Sequence, residues 1–175
     1  SGKGVAASLL SSMLLGCLQL LLRGGASPED ALDRLNKFLH EKAFGKFATM
    51  FVFSIFPDGK GQFVNAGHNA AYLYRASNGE IEELSSTGLM VGAFDFATFV
   101  ASPFSLEKGD VLMVYSDGLT EAEDLAGTMF GDQRLKDIVL KYSPSGLESL
   151  HQAILQEIEV FTRGRIVKYD AAESR

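Results

Sequence analysis

The residue pair that most invites chemistry is Asp117-Gly118, in the segment LEKGDVLMVYSDGLTEAED. There an apolar run, VLMVY, delivers a carboxylate straight into a turn. A carboxylate at the end of a rigid strand has a fixed position, and hard cations such as Mg²⁺ and Mn²⁺ bind through such oxygens while keeping several waters. Gly118 lets the backbone turn sharply and leaves room beside an ion. The same two residues also make an ordinary turn after a strand, and the local sequence leaves both readings open. Glu121, Glu123 and Asp124 come at once after it, either as groups that hold waters around a metal or as a solvated helix-start face. His68 and Asn69, in AGHNAA, offer an imidazole able to act as a general acid or a ligand. Lys3, in SGKG, could neutralise a phosphate, but the Walker A spacing is absent, and a solvated lysine is the simpler reading. No Ser-His-Asp or Cys-His nucleophile set stands out.

These groups need elements to hold them. VLMVY is a continuous apolar run of strand length, which predicts a central strand covered on both faces. ATMFVFSIF, the PDGKG turn and QFVNAGH predict a hairpin, followed by AYLYRA, an SNGE turn and a short IEEL strand. ATFVASPFSL predicts another strand, ended by the EKGD turn. Helices bracket this run. Val5 to Leu22 carries no charge, and Ala6, Leu10, Met13, Cys17 and Leu21 form one face at helical spacing. Gly24-Gly25 stops that helix, and Ser27-Pro28-Glu29-Asp30 starts another, with Ala31, Leu32, Leu35, Phe38 and Leu39 inward, ending near Phe44-Gly45. Two helices close the chain, one over Asp132 to Lys141 with Leu135, Ile138 and Val139 inward, and one over Gly146 to Phe161. Helices segregated from a meandering set of strands argue an α+β fold rather than a parallel α/β one.

Composition excludes several classes. The chain has 175 residues, enough for one domain, and is 46% hydrophobic and 22% charged, an ordinary globular balance. A net charge of −6 argues against a nucleic-acid surface. The opening apolar run is long enough to be weighed as a membrane span, but Ser8, Ser11, Ser12 and Gln19 interrupt it, and a buried helix packed on a sheet explains it better. The single cysteine, Cys17, permits no intrachain disulfide; it reads as a core thiol in a reducing, cytoplasmic setting.

GDVLMVYSDGLTEAED resembles the strand-and-metal motif of the SpoIIE-like branch of PPM-type (protein phosphatase 2C-like) metal-dependent serine/threonine phosphatases. FVNAGHNAAYLY resembles the family's AGHNP segment, with Ala70 where proline is usual. SGKGVAASLLSSM is similar to the end of its G-D-V-S-G-K-G-x-x-A motif, and FATMFVFSIF to the strand between them. In order, these motifs identify residues 1–161 as a partial SpoIIE-like phosphatase domain, with 162–175 a divergent C-terminal tail.

The resemblance implies a PPM-type α-β-β-α sandwich: two antiparallel sheets flanked by helices, here lacking the N-terminal strands. It implies two Mn²⁺ or Mg²⁺ ions in the intact domain, with Asp117 as a metal ligand and the centre of catalysis. Asp170 falls at about the distance of the family's D-D-x-T acids and is the second candidate ligand. KYDAAESR lacks the second acid and the threonine, so a solvated tail residue competes with that role. His68 is implied to brace the loop between two strands. Because an acidic ligand and a G-G-D-x-x-D strand would precede Ser1, the chain reads as a piece of a longer domain. Alone it is expected to bind manganese weakly, to be inactive, and to form a homodimer or strand-swapped oligomer through uncovered sheet edges. The implied substrate is a phosphoserine or phosphothreonine protein, such as an anti-anti-sigma (STAS-type) protein in bacterial partner switching. The rival expectation is a catalytically inactive regulatory domain on the same scaffold. No nucleic acid and no membrane insertion by this chain are expected.

Overall fold

The computed structural model describes residues 5–42 and 45–162. Its first elements are the helices α1 (Val5–Arg23) and α2 (Pro28–Lys42). The Gly24-Gly25 stop lies just after α1, and Ser27 Oγ accepts the backbone N–H of Asp30 at 3.1 Å, capping α2 with Pro28 in its first position. Six strands come next: β1 (Met50–Ile55), β2 (Lys60–Ala66), β3 (Ala71–Arg75), β4 (Glu80–Leu84), β5 (Ser102–Ser105) and β6 (Val111–Met113). The chain then forms α3 (Asp117–Thr120), α4 (Asp132–Tyr142) and α5 (Leu147–Thr162), with a 3₁₀ turn at Ser143–Ser145 between the last two. Ser1, Lys3, Phe44 and Asp170 lie outside the described residues.

Two antiparallel sheets result, ordered β1-β2-β5 and β4-β3-β6. The β1–β2 and β3–β4 hairpins are those the sequence predicts, but β5 returns to pair with β2 and β6 returns to pair with β3. The chain therefore divides into two compact units, Ser1–His68 with Ser85–Ser105, and Asn69–Leu84 with Leu106–Arg175.

In the first unit, α1 and α2 cover the β1-β2-β5 sheet through Leu14, Leu32, Leu35 and Leu39 against Val52, Val64 and Ala66. Each leucine so buried contributes about 1.5–3 kcal/mol. The helical faces differ from expectation in two places. Leu14 is buried in α1, whereas Met13 is 41% exposed, and Val5, Leu9 and Leu20 also face outward. Cys17 is half-buried at the edge of the core rather than within it. In α2, Phe38 is exposed and Asn36 takes a core position at 1% exposure. The reason lies across the chain: Asn36 Nδ2 donates to the Phe94 carbonyl at 2.9 Å, and its Oδ1 accepts the Gly92 N–H at 2.7 Å. Gly92 has φ +87°, and a Cβ there would lie 2.5 Å from Leu39 Cδ2, so only glycine lets this loop approach α2.

In the second unit, α4 and α5 pack on the β4-β3-β6 sheet. Leu135, Ile138 and Val139 point inward as the spacing predicts, with Leu150 and Ala153 from α5, against Tyr72, Tyr74 and Val111. The strand expected over VLMVY is shorter than its apolar run. β6 stops at Met113, pairs only with β3 among the described residues, and is followed by Val114 at 40% exposure. No helix among the described residues is long and apolar enough to cross a membrane.

The Asn36 bridge sets a measurable cost. Asn36→Ala leaves the Gly92 N–H and the Phe94 carbonyl without their partner, and urea unfolding should show a loss of about 2–4 kcal/mol. A loss below about 0.5 kcal/mol would mean that both groups find other partners.

Candidate functional site

The segment that carries Asp117 is pinned at its start by a carboxylate. Asp110 has a side chain only 3% exposed, yet it accepts the Ala76 N–H at 2.9 Å, the Glu107 N–H at 3.1 Å and Arg75 Nη1 at 3.0 Å. Burial alone would push this carboxyl up; the backbone donors and the Arg75 guanidinium outweigh it and hold it below the ordinary value. From there β6 runs antiparallel to β3, in register Tyr74 with Val111, Leu73 with Leu112 and Tyr72 with Met113.

Past Met113 the ladder ends, and the chain is held by side chains. Tyr115, 8% exposed, packs its ring 5.1 Å from that of Tyr72, which is 1% exposed. Its hydroxyl lies 2.9 Å from the Tyr72 hydroxyl and 3.0 Å from Asp132 Oδ1, and the Tyr72 hydroxyl lies 3.4 Å from the same oxygen. Two hydroxyl protons thus serve three oxygens in a closed triangle. Burial pushes both phenols above the ordinary tyrosine value, and the neighbouring Asp132 charge adds to it. Asp132 is the first residue of α4, after Gly131, so the triangle joins β3, the end of β6 and the start of α4.

Ser116 is extended (φ −97°, ψ 162°), and Asp117 opens the single turn of α3, where Glu121 N–H donates to the Asp117 carbonyl at 2.8 Å. Thr120 is buried beneath that turn. The Asp117 side chain faces outward, and no hydrogen bond or ion pair reaches its carboxylate among the described residues. Gly118 needs no special backbone conformation, and a Cβ there would meet nothing nearer than Ser116 Oγ at 3.7 Å. The turn is therefore not what requires glycine; the open space above it remains. Glu121, Glu123 and Asp124 come after α3 instead of starting a helix. Asp124 Oδ1 accepts the Ala126 and Thr128 N–H groups at 2.8 and 2.9 Å, which gives it a turn-forming role and holds its carboxyl below the ordinary range.

His68 belongs to the first unit. The buried Asn65 accepts the His68 N–H on Oδ1 at 2.8 Å, its own N–H donates to Thr87 Oγ1 at 3.0 Å, and its carbonyl accepts Thr87 N–H, Gly88 N–H and Ser86 Oγ. The His68 Nδ1 is 3.1 Å from Thr49 Oγ1. Gly67, at φ +68° and against Met90, completes a loop in which the imidazole ties β2 to the residue before β1.

Among the described residues no group of three or more His, Cys, Asp or Glu side chains gathers in one place. Asp117 stands alone there, and Asp170 lies outside the described residues. The donor type still fits a hard divalent cation, since the carboxylate is unpaired, outward and rigidly based. A cavity of about 330 Å³ between α4 and α5, with Arg134 and Lys141 at its rim and Phe130 and Phe161 in its wall, contains none of the candidate residues. The residues that sequence reading missed are Tyr72, Tyr115 and Asp132. The available signals were a lone tyrosine ending an aliphatic strand and an acid directly after a glycine at a helix start.

The family described as Stage II sporulation protein E (SpoIIE) matches residues 1–171. Phosphoserine phosphatase RsbU of Bacillus subtilis (strain 168) is 32% identical over 123 residues, which cover 69% of this chain and 36% of RsbU. The chain thus spans little more than a third of that relative's length. Among solved structures, the SiaA-PP2C domain of Pseudomonas aeruginosa superposes with a TM-score of 0.76 at 16% identity, over 93% of this chain and 65% of that one. RsbX, solved in complex with magnesium, gives a TM-score of 0.65 at 16% identity, over 94% of this chain and 71% of that one. The fold, two antiparallel sheets each flanked by helices, is that of PP2C-type phosphatase domains.

The Asp110 clamp predicts a pH dependence. Its folded pKa is lowered, so its contribution is full above the unfolded value of about 3.9 and is lost as pH falls through the folded value. The difference in urea midpoint between the native chain and Asp110→Asn should be largest near neutral pH and shrink below about pH 4. A difference independent of pH would show that the charge of Asp110 contributes nothing.

Proposed function

The chain belongs to the SpoIIE family, and from that membership we propose that it forms part of a metal-dependent protein serine/threonine phosphatase. The observation that carries the reading is the Asp117 carboxylate, unpaired and outward at the start of α3, on a segment whose start, at β6, is clamped by Asp110. Mn²⁺ or Mg²⁺, as a pair in the intact domain, would supply Lewis-acid activation of water and charge neutralisation at phosphorus. Asp117 would hold such an ion through its carboxylate, and Asp170 is the second proposed ligand.

The remaining residues act by position. The α3 turn and the buried Thr120, whose hydroxyl donates to the Asp117 carbonyl at 3.4 Å, hold the backbone that carries Asp117, and the open space at Gly118 leaves room for a phosphoryl group. The proposed role of His68 is to brace the AGHN loop, which its hydrogen bonds to Thr49 and Asn65 support. The reaction is hydrolysis of a phosphoserine or phosphothreonine ester: water adds to phosphorus, the P–O bond to the side chain breaks, and the alcohol leaves with a proton. The proposed substrate is a phosphorylated anti-anti-sigma (STAS-type) protein in a bacterial partner-switching pathway; the likeness to RsbU, a phosphoserine phosphatase, supports the phosphoserine part of that reading. One observation favours a second reading, an inactive regulatory domain on this scaffold: the described residues gather no group of three acids.

Asp117→Asn in the full-length protein decides between the two. Manganese-dependent phosphate release from a phosphoserine protein should fall at least about a hundredfold. A native protein with no measurable turnover would favour the inactive domain. A native protein that turns over, with a variant within about threefold of it, would make Asp117 an ordinary turn residue.

A further inference from the structure

We propose that Tyr115 is a positioning residue for Asp117, acting through a hydroxyl tether to Asp132 and Tyr72; this rests on the reading of Asp117 as a metal ligand. Backbone pairing holds β6 only as far as Met113. Val114 is exposed, and the far end of the α3 turn is held by the buried Thr120, whose carbonyl accepts the Gly131 N–H at 2.9 Å. On the strand side, before Asp117, Tyr115 is the buried side chain that anchors the turn. Its ring is buried on Tyr72, and its hydroxyl meets a carboxylate borne by a different element, the first residue of α4.

One residue, Ser116, separates the tether from the candidate ligand. A shift of Tyr115 displaces the backbone next to Asp117, and a metal site loses affinity when a ligand moves by a fraction of an ångström. The triangle has a further constraint. Two buried phenols need a hydrogen-bond acceptor, and Asp132 Oδ1 is the oxygen within reach of both. Lys136 sits over the Tyr72 ring, 5.5 Å from its centroid, and bonds Glu83 on β4, the strand that pairs with β3 on the side away from β6. The start of α4 thereby sets the place of the β6 exit.

The test compares four single variants of the full-length protein by manganese titration and by amide hydrogen exchange. Tyr115→Phe removes the hydroxyl and keeps the ring. Asp132→Ala removes the acceptor from the outer side, and serves if Tyr115→Phe fails to fold. Ile138→Val lowers core stability without touching the tether, and Asp117→Asn removes the candidate ligand. Tyr115→Phe and Asp132→Ala are each expected to weaken Mn²⁺ binding about tenfold and to speed exchange at the Leu119 and Glu121 amides about tenfold, with Ile138→Val doing neither. Unchanged exchange at those amides in both tether variants overturns the proposal whatever the metal does. Faster exchange with unchanged Mn²⁺ affinity, while Asp117→Asn loses binding, overturns it too, because the tether would then order the turn without placing the ligand. If Asp117→Asn leaves Mn²⁺ binding intact, the ligand reading itself fails and the positioning role falls with it.

Discussion

The pairing of β3 with β6, Tyr74 with Val111, Leu73 with Leu112 and Tyr72 with Met113, carries the rest of the second unit. β3 is buried from Ala71 to Tyr74 and is paired on both sides, with β4 and with β6. A one-residue slip would send Tyr72 and Tyr74 to the opposite face, break the core with Leu135 and Val139, and separate Tyr115 from Tyr72. The register is locked outside the ladder as well. Asp110 ties the start of β6 to Arg75 and Ala76 at the end of β3, and the tyrosine pair ties its exit. A strand of three residues is too short to hold its place by backbone bonds alone, and these side chains supply the support that the ladder lacks.

The same division of labour explains how much could be read from the sequence. The hairpins were legible, because each couples two alternating segments through a turn of glycine and polar residues at PDGKG and SNGE. The capped start of α2 and the inward face of α4 were legible for the same local reason. The returns of β5 to β2 and of β6 to β3 were not, since pairing between distant strands leaves no periodic trace. In α1, apolar residues surround the helix, so periodicity fixes no phase and Leu14, not Met13, reaches the core. In α2 the spacing puts Phe38 inward, but a core position goes to Asn36, whose amide partners the Gly92 and Phe94 backbone groups of a distant loop.

The candidate site shows that split most clearly. Asp117 was visible because a strand ending in Asp-Gly is a local pattern. Its supports were not, because Tyr72, Tyr115 and Asp132 come from three elements and meet only after the sheet and α4 are in place. His68 is a further case: an imidazole in a turn beside glycine and asparagine was visible, while the hydrogen bonds that Thr49 and Thr87 bring to its loop come from segments distant in sequence.

The order in which the strands are used has a consequence for how the chain reaches this structure. The β3–β4 hairpin of the second unit is synthesised before β5, which completes the sheet of the first. Neither unit is a contiguous stretch of chain: the first closes at Ser105, with the β3–β4 part of the second already made between its two segments, and the second waits for Leu106 onward. Loop closure must be met twice over long separations before either sheet is whole, which slows folding and leaves β2 and β3 edges open meanwhile. Nascent chains halted between Leu84 and Ser102 would display both edges at once, the state in which a chaperone is most needed.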